Sequence, residues 1–477
     1  MKASSVILDA LKDIDNTGTL EAEKKMTLHA GQDIRMTTGT HREENGQGHT
    51  TAISKRGAAS VTGKEGSLTM TAGKDIHLQA ARISSAGDMT IAGKRQVELG
   101  TAVAEKDNRV TWDRSNDRRD STAMETGSTL TAERNLTLLA GEDLSMTAAH
   151  VQAGKAAIIE AGRHITEKAG KNTVEMEEHH RHKEKGLLSS KTTTTYDEAK
   201  RTDTTGSIVE GDTLTMTAGK DITLKGSAAV STEKTTLLSG NNISIDAAET
   251  ENREIHRKQV KKSGLFGSGL GFTIGSEKTK DSYDMEETTQ TGSTAGSVKG
   301  NVTITAGNET DIRASDIIAG QDSLIAGKNV TIESKDNTCR GKEEHEYKKS
   351  GLTVSLGGAL ITAKDNVIRP IKNAGQAHDG LLGKLYAADA GFNLHDAVKT
   401  YKNIGDVKKG ITLDVSIGSR SAKSDSRYQG TEAKESRIVS QGNIRIKSDE
   451  NIAVKGSQIT GENVTLQAGK DIKPYRC

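Results

Sequence analysis

The stretch Gly66-Ser67-Leu68-Thr69-Met70-Thr71-Ala72-Gly73-Lys74-Asp75-Ile76-His77-Leu78 decides the fold. Leu68, Met70 and Ala72 alternate with Ser67, Thr69 and Thr71, the period of two that marks a strand with one buried face. Gly73-Lys74-Asp75 supplies turn chemistry, since Gly tolerates positive φ, and Ile76 and Leu78 then resume the inward set. The phrase returns as Asp88-Met89-Thr90-Ile91-Ala92-Gly93-Lys94, so Gly73 to Gly93 is a step of 20 residues and Gly66 to Gly87 one of 21. A unit this short buries its apolar face only against its neighbours, which is the logic of a solenoid.

Further copies run along the chain at Ala30-Gly31-Gln32-Asp33-Ile34, Ala140-Gly141-Glu142-Asp143-Leu144, Ala218-Gly219-Lys220-Asp221-Ile222, Ala326-Gly327-Lys328-Asn329-Val330 and Ala468-Gly469-Lys470-Asp471-Ile472. Ser239-Gly240-Asn241-Asn242-Ile243 is a looser copy. The repeat turns are therefore assigned to Gly31, Gly73, Gly93, Gly141, Gly219, Gly240, Gly327 and Gly469. The expected fold is all-β: a right-handed parallel β-helix with coils of about 20 residues. If some 300 residues are regular, about 15 coils at about 4.8 Å each make a rod on the order of 70 Å long.

Composition fits a narrow core. Hydrophobic residues are 32% of the 477 and aromatics 2%, too few for an ordinary globular interior. Disorder is the other explanation for such poverty, but Pro occurs only twice and the fifty Gly fall at regular places. The formal charge of +1 argues against a nucleic-acid-binding protein. Cys339 and Cys477 make no disulfide framework. No stretch is long and apolar enough to span a membrane. The opening Met1 to Ala10 is not a signal peptide, because Asp9 interrupts its apolar run, and the chain reads as a fragment of a larger exported protein.

Polar decorations interrupt the repeats. The expected organisation is β-helix with short polar decorations over 1–174, a charged decoration over 175–205, coils over 206–248, a Gly-rich hairpin over 249–292 and coils over 293–335. A long insertion then covers 336–436, and coils return over 437–477. Within the insertion, Leu381, Leu385 and Ala388, then Leu394, Val398 and Tyr401, fall at helical spacing, so a helical decoration carried on a projecting β-hairpin is expected.

Candidate chemistry is sparse. His179-His180-Arg181-His182 with Glu177, Glu178 and Glu184 offers metal-binding residue types, but without the fixed spacing of a closed ligand set, so a solvated loop or charged helix is expected and no metal site. The repeated Gly-Lys lacks the spacing of a phosphate-binding loop. Asn-x-Thr triplets such as Asn301-Val302-Thr303 occupy the turn-then-strand slot of the repeat, which explains them without a glycan. Nothing suggests catalytic residues, a cofactor or a small-molecule substrate, and the expectation is no enzyme. The most apolar exposed phrases, Gly264 to Gly275 and Gly351 to Gly357, mark Leu265, Phe266, Phe272, Ile274, Leu352 and Val354 as candidate interaction residues.

The recurring Ala-Gly-Lys-Asp-Ile phrase resembles the haemagglutinin-repeat region of two-partner-secretion exoproteins, the filamentous haemagglutinin and contact-dependent growth inhibition class. So does the order from the Gly351-Leu352-Thr353-Val354-Ser355 phrase through Val415-Ser416-Ile417-Gly418-Ser419 to Gly469-Lys470-Asp471-Ile472. The resemblance implies a secreted, cell-surface, outer-membrane-associated parent, exported by a partner barrel in the outer membrane. Such a parent meets a target cell's outer membrane or a surface receptor, and in inhibition systems it carries a C-terminal toxin. The expected function is a structural and delivery rod. The alternatives are a haemagglutinin-type adhesin for cell-surface receptors or glycans and, on fold analogy alone, a β-helical polysaccharide-degrading enzyme.

Overall fold

The computed structural model describes residues 1–267, 271–357 and 412–475. It contains a 30-stranded parallel sheet wound into a β-helix and a separate 10-stranded antiparallel sheet. Among the described residues there is no helix. The residues expected to be helical, Leu381 to Tyr401, lie outside the described residues.

Coils of the β-helix begin at Lys2, Thr19, Ala58, Arg82, Thr129, His150, Ile208, Ala228, Thr294, Asp316, Arg437 and Gln458, which makes twelve. That is fewer than the expected 15, because the decorations take up more of the chain than the sequence pattern allows for. Twelve coils at about 4.8 Å give a rod on the order of 55 Å long.

Inward residues stack in register from coil to coil. One column runs Met26, Leu68, Met89, Leu136 and a second Ile34, Ile76, Val97, Leu144. All are at most 1% exposed. Full burial of such a side chain stabilises by about 1.5–3 kcal/mol, so a chain only 32% hydrophobic suffices when most large apolar residues of the coils point inward.

The repeat glycines are needed for a different reason from the one expected. None of the eight carries a positive φ. A Cβ on Gly73 would instead run into the Gly31 carbonyl oxygen, and one on Gly219 into that of Gly162. Stacked turns approach too closely for any side chain. Gly93 and Gly327 sit within strands rather than at turn tips.

Positive φ appears at another corner, the one that follows the third strand of a coil. It occurs at Ala80, Ala148, Gly226, Ala314 and Gly456, with φ between 46° and 61°. These tight corners alternate with corners from which a hairpin leaves: Gly39–Asn45 with Gly48–Lys55, Ala102–Asp113 with Asn116–Thr126, Gly170–Lys185 with Ser189–Thr205, Ala248–Gly267 with Gly271–Thr291, and Lys335–Gly357 with Thr412–Lys434. We number these hairpins first to fifth. A hairpin on every second coil has a simple consequence. Two coils advance the rod by about 9.6 Å, which is also the width of two paired strands. The hairpins therefore tile into one continuous sheet, the fin, each returning strand pairing with the next outgoing one, as between the third and fourth and the fourth and fifth.

This corrects the sequence reading of the charged run. Glu175 to Lys185 is neither loop nor helix but the outer part of the Gly170–Lys185 strand. Its alternating charges pair with strands on both sides, a stabilisation invisible to a reading of one segment.

Candidate interaction surface

Both faces of the fin are at least partly open to solvent over most of its length, so cross-strand rows define its chemistry. At the base, register is pinned by asparagines of the outgoing strands. The side-chain oxygens of Asn172, Asn252 and Asn337 accept the backbone N–H of Glu125, Thr202 and Gln290 of the preceding hairpin at 2.9, 3.0 and 2.7 Å.

Toward the tip the rows become uniform in residue type. Leu265, Ile274, Leu352 and Ile417 lie directly opposite one another across four strands. Phe272, Val354 and Val415 form the next row out. Below them, Gly264, Gly275, Gly351 and Gly418 align, then Ser190, Ser263, Ser276, Ser350 and Ser419. The hydroxyls bond in pairs, Ser190 with Ser263 and Ser276 with Ser350, each at 2.9 Å.

Alternation along the strands puts the aliphatic and serine rows on one face with the row Lys183, Thr192, Lys261, Lys278, Lys348 and Ser421. That face thus reads, from tip to base, apolar, hydroxylic, cationic. Serine and lysine rows border an open groove of about 760 Å³. Glu346 lies beside the lysine row, 3.6 Å from Lys278 and paired with Lys348, and these contacts hold its carboxyl below the usual range despite partial desolvation.

The structure brings five of the six predicted interaction residues onto the apolar part of this face. Ile274, Phe272 and Leu265 are exposed, Leu352 and Val354 half-buried. Phe266 falls on the opposite face, in the row of Thr273 and Thr353, with the Lys262 ammonium 5.9 Å from its ring. Sequence reasoning missed Val415 and Ile417, which are 62% and 84% exposed, and Leu187 and Leu188 at the neighbouring hairpin turn. The signal was present: Val415-Ser416-Ile417-Gly418-Ser419 is the row pattern of Phe272-Thr273-Ile274-Gly275-Ser276.

The histidine cluster is dispersed by strand alternation. His179 packs on Tyr196, with ring centroids 4.6 Å apart, whereas His180 stacks on Trp112 at 5.1 Å and bonds Glu178 at 2.5 Å. Among the described residues no group of three His, Cys, Asp or Glu side chains converges on a point.

Coils and fin together define a solenoid repeat protein whose surfaces are generated by periodicity. The chain belongs to the haemagglutinin-repeat family, which matches residues 3–108, 110–188, 185–351 and 415–473. Over 98% of its length it is 31% identical to the tRNA nuclease CdiA of Escherichia coli, of which the match spans 15%. Over 63% of its length it is 37% identical to the 16S rRNA endonuclease CdiA of Enterobacter cloacae, spanning 10% of that protein. The chain thus covers only a small part of the relatives it matches. No solved structure matches it.

Proposed function

We propose that this chain is a length of delivery rod in a secreted exoprotein of contact-dependent growth inhibition, exported through an outer-membrane partner barrel and carrying a C-terminal toxin to a neighbouring cell. The observation that carries the reading is the likeness along 98% of the chain to a protein named tRNA nuclease CdiA. The nuclease activities belong to those relatives. In this chain the role is structural, and the apolar tip rows of the fin are the part that meets the target cell's outer membrane or a receptor in it.

The test replaces the matched segment of the Escherichia coli relative with this chain and scores secretion, target-cell binding and target-cell inhibition separately. Preserved inhibition is expected. Replacing Leu265, Ile274, Leu352 and Ile417 together by Ser is expected to leave secretion intact and remove inhibition. Unchanged inhibition in that variant sinks the role assigned to the tip. The second reading, an adhesin, is favoured by the exposed hydroxyl and lysine rows, which suit a glycan; it predicts cell binding by the isolated rod and no inhibition from the chimaera.

A further inference from the structure

The fin ends on the Thr412–Lys434 strand, which pairs along its whole length with Lys335–Gly357 and, among the described residues, with nothing on its other side. At the opposite end the edge is blunted, since Gly39–Asn45 is short and strongly charged. The Thr412–Lys434 edge is not short: it is 23 residues long, pairs without a bulge and runs straight to the tip, and its Val415-Ser416-Ile417-Gly418-Ser419 stretch carries no charge.

A Cβ on Gly264 would meet the Leu188 carbonyl oxygen, one on Gly275 that of Ser350 and one on Gly351 that of Ile274. Gly264 and Gly351 also take φ of +95° and +140°. In each covered strand the glycine is required because a neighbouring backbone lies against it. Gly418 stands in the same row, yet a Cβ there would meet nothing within 4 Å among the described residues. No described neighbour requires that glycine, whereas a further strand laid against the edge would.

The register of the fin says what that strand is. Outgoing strands read Ser263-Gly264-Leu265 and Ser350-Gly351-Leu352-Thr353-Val354, with Asn252 or Asn337 at the base, and each docks antiparallel on a returning strand. We propose that the Thr412–Lys434 edge is an acceptor for one more antiparallel strand of the form Ser-Gly-aliphatic-x-aliphatic, the outgoing strand of a further hairpin of this same design. Its Ser, Gly and first aliphatic residue would stand opposite Ser419, Gly418 and Ile417. The two-coil alternation is compatible with it, since the corner at Gly456 is a tight one. The inference is independent of what the rod delivers.

The test is amide hydrogen exchange on the full chain, with a synthetic peptide of the sequence Asn337 to Ser355 as probe. Alone, the amides of Val415 to Ser419 that are not bonded to Lys335–Gly357 are expected to exchange fast. Adding peptide is expected to slow them at least tenfold, with no effect from a scrambled peptide or from one with Val in place of Gly351. Gly418→Val has open space for its side chain, so it should leave the chain's own exchange pattern unchanged and abolish the response. Protection of those amides without peptide, equal protection by the scrambled peptide, or no protection at saturating peptide would each overturn the proposal.

Discussion

Glu167 and Leu224 stand in direct register on consecutive coils, in the same inward column, and neither side chain exposes surface. Among the described residues both Glu167 oxygens lack a hydrogen-bond partner, and burial alone pushes its carboxyl up to about 8. An unpartnered carboxylate among Met146, Leu224 and the other aliphatic residues of the column is unfavourable, so the group stays protonated in the folded chain up to about pH 8.

The sign of the pH dependence follows. Below about pH 4.5 both states are protonated and the residue adds no pH dependence. Between 4.5 and about 8 the unfolded chain ionises while the folded one does not, so stability falls as pH rises and levels off above the folded value. The loss is on the order of 5 kcal/mol at about 1.4 kcal/mol per pH unit. Glu167→Leu should flatten the dependence and raise the urea midpoint at pH 9. Parallel pH profiles for the two proteins would refute this.

A glycine pair separates the two roles that glycine plays here. Gly73→Ala drives a methyl into the Gly31 carbonyl oxygen and should cost more than about 2 kcal/mol, in the manner of an overpacked core. Gly46→Ala, in the turn of the first hairpin, meets nothing within 4 Å and should fall within about 0.5 kcal/mol of the parent. Thermal unfolding of both variants decides it. Equal midpoints would mean that the coils part easily at their turns.

What the sequence makes legible is whatever repeats along one segment. Leu68, Met70, Ile76 and Leu78 announce their coil because period and turn are local. The fin is not local: Glu178 faces Arg118 of the preceding hairpin at 3.3 Å, a contact sixty residues away in sequence. A charged run read by itself looks like a solvated surface, and only its neighbours make it a strand. The tip rows lie between. Leu265 and Leu352 stand out as exposed apolar residues, but their alignment with Ile417 depends on hairpin lengths that no single segment displays.

His256 bridges Asp197 and Glu254, with 2.7 Å to each. Burial works against its charge, but the two hydrogen bonds outweigh it and raise the pKa above 6.5. A raised histidine stabilises fully below the unfolded value, and that contribution is lost as pH rises through the folded one. An imidazole titration by NMR should give a midpoint above 6.5, and Asp197→Asn should lower it. A midpoint at or below 6.5 in the parent would show that burial dominates.

Tyr428 lies opposite Gly341, and its ring fills the place a Cβ on Gly341 would occupy. Its hydroxyl is 3.2 Å from that of Tyr283 on the fourth hairpin, so one side chain spans three strands. An aromatic ring laid over a cross-strand glycine shields backbone that otherwise has no side chain to cover it. Tyr428→Ala removes that cover and the link between hairpins, and should speed amide exchange around Gly341 and Met285 while leaving the coils unchanged. Gly341→Ala should do the same by displacing the ring. If Gly341→Ala instead protects these amides, the ring's position contributes nothing, and the glycine only weakens its strand.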